Sequence, residues 1–268
     1  MSSKRKLIST LMCVGALTAG LFVSGCGSDK AADKVSSAVS SVTDSKSDEK
    51  LNKAFDELIK TTNEFNGNNV TWGQQHAENL AKLKAGFDEY AINTQPRFEN
   101  LQNGLKKSKE IGNTYKEVDT ERDNVLAVLD ELVPVYKELQ SYTDSKAYLN
   151  DGKAKGNELA AKYVAAVEKF NAAYDKLGEV INTTNKEKNK KKMEQMKKDG
   201  YKNYAAVMEA TLRLTDLVEK VQATYTNPDK AAIEKEIGEI QGLLNGIDTK
   251  DSHKDSLVRN FNDTVGAI

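Results

Sequence analysis

The sequence predicts an all-α fold, in which antiparallel helices pair as coiled-coil-like hairpins and build an elongated bundle. Apolar residues recur at intervals of three and four through most of residues 50–268, which is the spacing of one buried helix face. No segment alternates apolar and polar residues with the period of two that a half-buried strand requires. Clusters of Gly, Asn and Asp interrupt the helical pattern and mark the turns.

The first half of the helical region carries four such patterns. The first pattern is expected to end at residues 66–69, where Asn-Gly-Asn-Asn favours a turn. The second places Leu83, Phe87 and Tyr90 on one apolar stripe. The expected helices cover residues 51–65, 80–90, 98–105 and 115–142, and a polar loop is expected over 143–156.

The second half begins with the clearest long helix of the chain. Its apolar residues step by four and three from Leu159 through Phe170 to Ile181, the seam of a coiled-coil-like pair. Asp199-Gly200 then marks a turn that opens a further helix.

Two more helices are expected near the carboxyl end. In Asn227-Pro228-Asp229, asparagine would cap a helix whose first position is proline. Gly238, Gly242 and Gly246 lower the helix propensity of this segment by about 1 kcal/mol each, so we expect another helix to cross them at short distance. The apolar residues of the last expected helix are Leu257, Val258, Phe261 and Val265.

The first 26 residues carry the features of a bacterial lipoprotein signal. Lys4-Arg5-Lys6 is the positive region, residues 7–22 are the apolar core, and Val23-Ser24-Gly25-Cys26 resembles the box that lipoprotein signal peptidase cuts. A membrane-spanning anchor is the alternative, but the apolar run is shorter than the ~20 residues that a span needs. We therefore expect Cys26 to become the lipidated, palmitate-bearing first residue of the mature protein.

The predicted organisation has three parts: a signal peptide (1–25), a lipidated cysteine with a flexible spacer (26–49) and a helical bundle domain (50–268). The spacer is rich in Ser, Ala, Lys and Asp and has no aromatic residue, a composition that cannot bury a core. Loss of residues 1–25 leaves 36 of the 39 basic residues against 40 acidic ones, which does not favour nucleic-acid binding.

The residue inventory argues against an enzyme. Cys13 lies in the signal peptide and Cys26 carries the lipid, so the body has no thiol for a disulfide, a metal or a nucleophile. His76 begins a stretch similar to a zinc-protease helix, but no second histidine follows four residues later. We assign no catalytic residue, no cofactor site and no metal site. A pair of carboxylates could still form a site, and the sequence nominates no such pair.

Two features suggest binding to other molecules. Trp72, Tyr142 and Tyr148 are a candidate binding surface, because aromatic rings with a polar edge suit carbohydrate or peptide contacts, although helix packing also explains such residues. The run 186–198 holds seven lysines and only two acids. It could contact an anionic lipid or envelope polymer, or it could be a solvated helix face.

A family resemblance covers most of the body. Residues 141–170, which include the turn Asp151-Gly152-Lys153-Ala154-Lys155-Gly156, resemble the YiiG-like family of bacterial lipoproteins, as do Asp199-Gly200-Tyr201 and residues 204–208. The chain departs from the family after Gly156, where the family often has a histidine. The resemblance implies an all-helical extracytoplasmic domain of unassigned function, with no catalytic residue to carry over.

The expected function is therefore that of a cell-envelope lipoprotein with a non-enzymatic, structural or partner-binding body. Its partners would be the membrane, through Cys26, and an envelope protein or anionic polymer. Gly27 is not the aspartate associated with inner-membrane retention, so an organism with two membranes would carry the protein on the outer one, and otherwise on the outer face of the cell membrane. The alternative is a lipoprotein that captures a small molecule, metal or polymer in a cleft between helices walled by tyrosines.

Overall fold

The computed structural model describes residues 46–92, 96–224 and 227–247, with no description of the side chains of residues 46–48, 68–72 and 222–223. Within these ranges the chain forms helices and no strand, which confirms the predicted all-α bundle. The elements are α1 (Lys46–Ala85), a 3-10 helix (Glu89–Ile92), α2 (Phe98–Ile111), α3 (Lys116–Asp144), α4 (Tyr148–Asp151), α5 (Ala154–Lys198), α6 (Lys202–Ala223) and α7 (Lys230–Asn245). No helix in the described ranges is both long and apolar enough to cross a membrane.

The described residues fall into two compact units that divide inside α5, between Ile181 and Asn182. The first unit contains α1 to α4 and the amino-terminal part of α5, and the second contains the remainder of α5 with α6 and α7. Because α1 begins at Lys46, the last four residues of the predicted spacer belong to its first turn. The predicted helix over 257–265 lies outside the described residues.

Successive long helices of the first unit run antiparallel, because residues late in one helix contact residues early in the next. The Ser108 hydroxyl of α2 donates to the Ala54 carbonyl of α1 at 2.8 Å, where both residues are buried. The ion pairs that follow the same order are Lys109–Asp123 and Lys106–Asp130 between α2 and α3, and Lys169–Glu131 and Lys155–Glu138 between α3 and α5.

Four aromatic residues form the centre of the first unit. Phe170 lies on the predicted seam of α5, and its ring packs 5.8 Å from Phe65 of α1 and 5.1 Å from Phe98 of α2. Tyr174 stacks on Phe170 at 5.3 Å, and its hydroxyl donates to Asn66 Oδ1 at 3.0 Å. The four residues are at most 5% exposed, so their rings fix three helices against one another.

The expected end of the first helix at residues 66–69 is wrong, because α1 is hydrogen-bonded as one helix from Lys46 to Ala85. Both parts of α1 contact α5: Phe65 packs on Phe170, and the Lys84 ammonium lies 2.5 Å from the Glu168 carboxylate. Packing on α5 on both sides of the Asn-Gly-Asn-Asn stretch therefore outweighs the weak helix propensity of that stretch.

The second unit is a smaller helical assembly with an aliphatic core. Val207, Ala210 and Leu217 of α6 pack against Ile240 and Leu244 of α7. Gly200, at φ 85°, allows the tight turn from α5 into α6, as the Asp199-Gly200 signal predicts.

The amino-terminal cap of α7 differs from the prediction. Asp229, not Asn227, is the capping residue: its carboxylate accepts the backbone N–H of Ala232 at 3.1 Å. Pro228 therefore precedes the cap instead of occupying the first helical position. The reason is local geometry, because the extended backbone of Asp229 points its carboxylate at an N–H three residues on.

The glycines of α7 do not meet a helix within the described part of the chain, so the expected close crossing is wrong there. A Cβ built at Gly238 or Gly242 has no atom within 4 Å, and the nearest atoms to one at Gly246 belong to its own helix. The close approach occurs instead in the first unit. A Cβ at Gly104 of α2 would lie 2.4 Å from the Thr61 side chain of α1, so glycine is needed where these two helices cross.

Substitution of these two kinds of glycine by alanine should therefore have opposite effects on stability. Gly242→Ala should raise the free energy of unfolding by up to about 1 kcal/mol, because it improves helix propensity in open space. Gly104→Ala should lower it by about 1 to 3 kcal/mol through overpacking. Urea unfolding followed by circular dichroism measures both, and a destabilised Gly242→Ala would reveal a contact on that helix face.

Candidate functional site

The structure brings together two of the three residues of the predicted binding surface. The rings of Tyr142, near the end of α3, and Tyr148, in α4, have centroids 6.5 Å apart. Trp72 is part of α1, but its side chain lies outside the described part of the chain, as does Cys26. Within the described residues, the predicted surface is therefore the Tyr142–Tyr148 pair.

Phe87 joins the two tyrosines into an aromatic cluster. Its ring lies 5.2 Å from Tyr142 in an edge-to-face arrangement and 5.6 Å from Tyr148. Gly156 lets α5 approach the cluster, because a Cβ there would lie 2.7 Å from both Phe87 and Tyr142. Tyr142 is only 6% exposed, so it supports the surface from below, whereas Tyr148 is half-buried at its edge.

The segment between α3 and α5 is organised around the carboxylate of Asp151. One oxygen accepts the Tyr142 hydroxyl at 2.7 Å and the backbone N–H of Lys153 at 3.0 Å, and the other accepts the N–H of Lys155 at 3.1 Å. These hydrogen bonds, led by that from Tyr142, hold the pKa of Asp151 below its ordinary value. The carboxylate thereby links the end of α3 to the start of α5.

The backbone of the same segment adopts left-handed conformations. Gly152 closes α4 at φ 62°, which glycine tolerates. Lys146 at φ 54° and Lys153 at φ 71° are the non-glycine residues of positive φ in the described ranges. Such residues are uncommon outside glycine and cluster at functional sites, where surrounding contacts hold them in place.

Both large hydrophobic side chains that are exposed in the described ranges lie at this end of the first unit. Tyr90 is 73% exposed and Leu149 is 72% exposed. Lys153 connects their two segments, because its ammonium lies 3.2 Å from the Glu89 carboxylate and 5.9 Å from the centre of the Phe87 ring. We call residues 86–92 together with 145–156 the tip.

The sequence did not predict that Tyr90 and Leu149 are exposed. The apolar stripe predicted Tyr90 on the buried face of a helix, which is wrong because α1 ends at Ala85 and Gly86, at φ 148°, redirects the chain. Leu149 gave no signal, since it sits in a segment predicted as a polar loop. Residues 151–156 carried the available signal for an ordered turn at this position, because a glycine lies at each end of their lysine-rich stretch.

Two open grooves lie in the first unit, and neither is lined by a tyrosine. One, of about 440 Å³, runs between the end of α1 and the start of α5, from Gly86 and Asn157 to the Lys84–Glu168 ion pair. The other, of about 370 Å³, lies at the start of α3 beside Asp119 and Asp123. The tyrosine-walled cleft that the ligand-capture alternative requires is not formed by these grooves.

The acidic groups beside the second groove serve the fold. Arg122 is 1% exposed, and its guanidinium lies 2.9 Å from Asp119 and 3.2 Å from Asp123. Asp119 also accepts the backbone N–H and the hydroxyl of Thr114, at 3.0 and 2.8 Å, where the chain enters α3. In the described ranges, no three His, Cys, Asp or Glu side chains are placed to hold a metal ion.

The lysine run 186–198 is not an undivided basic surface. Lys186 lies 2.9 Å from Asp216 and 2.6 Å from Glu219 on α6, and it is partly buried. Lys197 pairs with Glu194 and with Glu209 at 3.0 Å. These contacts hold α5 to α6 within the second unit, so part of the positive charge is used in the fold.

Asp151→Asn should loosen the tip. The amide cannot accept at both positions, so one N–H or the Tyr142 hydroxyl would face an NH₂ donor. Hydrogen exchange of the Lys155 amide should accelerate in this variant and stay unchanged in Asp144→Asn, a neighbouring exposed acid. Because the folded-state pKa of Asp151 is lowered, its contribution is present above about pH 4 and is lost as the pH falls further. Equal exchange in wild type and Asp151→Asn would contradict this role.

Comparison with known proteins gives one family match. Residues 71–268 match the family described as protein of unknown function, DUF3829. No curated protein and no solved structure matches the chain. The match covers the end of α1, all later helices and the tip, and it extends through residue 268. The chain therefore belongs to the DUF3829 family of proteins of unknown function.

Proposed function

We propose that the chain is a cell-envelope lipoprotein, held at a membrane by lipid on Cys26, whose helical body binds a protein partner through the tip and performs no catalysis. The proposal rests on the shared position of four residues. Among the described residues, both exposed large hydrophobic side chains, Tyr90 and Leu149, and both non-glycine residues of positive φ, Lys146 and Lys153, lie at the same end of one unit.

The tip has the chemistry of a protein-binding surface. Tyrosine is enriched among the residues that contribute most to interfaces, because its ring offers apolar area at a low cost in conformational entropy. Exposed apolar side chains supported by a rigid base lose little further entropy on binding. The base here is the Phe87–Tyr142–Tyr148 cluster and the Asp151 hydrogen bonds.

The position of the tip within the first unit supports a partner away from the anchor. The amino-terminal end of α1 lies at the α2–α3 turn, since the Lys50 side chain is about 3.0 Å from a Cβ built at Gly112. The tip is at the other end of α3, whose 29 residues span about 40 Å. A tether that joins α1 would therefore attach far from the tip.

The charges of the tip favour a protein over an anionic polymer. Lys153 is paired with Glu89 and Lys155 with Glu138 at 2.9 Å, while Asp151 is engaged by hydrogen bonds. Little concentrated positive charge remains for a polyanion, whereas Tyr90 and Leu149 fit apolar pockets on a partner protein. The Lys186–Lys198 run, which mixes with acids of α6, adds little to the polymer alternative.

The same proposal includes membership of a narrower lipoprotein group and the membrane on which the protein is carried. The turn at residues 151–156 and the residues around Tyr201 resemble the YiiG-like lipoproteins, and this resemblance supports the proposal that the chain is a member of that group. The residue after the lipidated cysteine is Gly27, which supports outer-membrane placement in an organism with two membranes and the outer face of the cell membrane in an organism with one.

The anchor is tested at Cys26. Cys26→Ala should leave an unprocessed precursor without lipid label, because the signal peptidase box ends at this residue. Metabolic labelling with palmitate and mass spectrometry of the amino terminus measure the outcome. A wild-type protein cleaved at another residue and free of lipid would refute the lipoprotein assignment.

The tip is tested by photocrosslinking of the lipidated protein in intact envelopes. Tyr90→Ser and Leu149→Ser should each lower partner capture about tenfold, the size expected of a central interface side chain. Ala161→Ser, an exposed substitution in the groove between α1 and α5, serves as the matched control and should leave capture unchanged. Full capture by a Tyr90→Ser/Leu149→Ser protein with unchanged circular dichroism would show that the tip is not the binding surface.

A further inference from the structure

The α6–α7 pair of the second unit has an apolar edge that the described helices cover incompletely. Ile240 and Leu244 are 0% and 3% exposed, and they lie in the centre of the pair. Beside them is a set of aliphatic residues that are only partly buried. This set comprises Leu214 and Val221 of α6 with Ile233 and Ile237 of α7.

The described part of the second unit ends at the apolar seam. Ile247, the last described residue, is 2% exposed and belongs to the same core cluster as Ile240 and Leu244. Twenty-one residues follow it, from 248 to 268. Gly246 and the polar residues 248–252 precede the next apolar positions, which is the composition of a turn.

The sequence of the carboxyl-terminal segment complements the edge in pattern and length. Leu257, Val258, Phe261 and Val265 repeat at the spacing of one helix face, and Ser252 with Asp255 three residues later resembles a capping box. Residues 252–265 would form a helix of about 21 Å, close to the roughly 24 Å of the 16-residue α7. The family match runs through residue 268, so the segment belongs to the domain that the family shares.

We propose that the apolar edge of the α6–α7 pair is the docking surface for the chain's own segment 248–268, which lies outside the described residues. Phe261 supplies the largest apolar side chain of the segment, and Ile237 of α7 is one of the partly buried residues of the edge. A short connection after Ile247 sets the segment antiparallel to α7, the orientation that brief turns favour between neighbouring helices. This inference is independent of the tip and of its partner.

Site-specific thiol labelling tests the proposal, because the body has no cysteine of its own. The full mature chain with Cys26→Ser is given either Ile237→Cys on the apolar edge or Gly238→Cys on the open face of the same helix. The thiol at position 237 should react with a maleimide about tenfold more slowly than the thiol at position 238. Adding Phe261→Asp should remove that difference by accelerating position 237, with position 238 unchanged.

Three labelling results would overturn the proposal. Equal labelling of the two positions in the chain that keeps Phe261 would mean that nothing covers the edge. Protection at position 237 that survives Phe261→Asp and rises with protein concentration would assign the edge to a second copy of the chain. If circular dichroism shows that Phe261→Asp unfolds the unit, the milder Phe261→Ala replaces it in the same comparison. Protection at position 237 that Phe261→Ala leaves intact would likewise refute docking by this segment.

Discussion

Contact among Phe65, Phe98, Phe170 and Tyr174 is the interaction on which the first unit depends. The body contains no cysteine, so cross-links cannot restrain its unfolded chain, and packing must offset the conformational entropy of folding. Four large rings, each nearly buried, bring α1, α2 and α5 to one point and set their register. Register then determines which residues meet at the distant end of the helices.

The tip lies at one end of the helices that this packing aligns, and two glycines permit close contacts between those helices. Gly104 lets α2 approach Thr61 of α1, and Gly156 lets α5 approach Phe87 and Tyr142. In the turn between α3 and α5, Lys146 and Lys153 adopt left-handed conformations. Asp151 stabilises that arrangement by accepting three hydrogen bonds. A rigid turn of this kind presents Leu149 to solvent in a defined position, which suits recognition better than a mobile loop would.

The second unit relies on a different balance of interactions. Its core is aliphatic, and ion pairs surround it: Lys186 with two acids of α6, and Arg213 with Glu236 and Glu239 of α7. Partly exposed ion pairs of this type contribute only about 0 to 1 kcal/mol each to the free energy of unfolding. Their main effect is therefore to select which helix faces pack together. Stability must come mainly from buried residues such as Ile240 and Leu244. Further burial of the partly buried side chains of Ile233 and Ile237 would therefore raise the stability of this unit.

The sequence by itself determined the all-α class, the seam of α5, the Asp199-Gly200 turn and the absence of thiols in the body, because periodicity, turn residues and composition are local properties. It could not decide whether Asn66-Gly67 ends a helix, since packing on α5 at both ends outweighs a local propensity of about 1 kcal/mol. It also assigned the close glycine contact to Gly242 and not to Gly104, because a glycine looks the same in open space and beneath a neighbouring helix. The side-chain chemistry of Tyr142 and Tyr148 predicted a binding surface. The burial of Tyr142 and the exposure of Tyr90 and Leu149 depend on where the helices end and which helices pack together. Only the tertiary structure decides such questions, because they depend on contacts between residues that are distant in the chain.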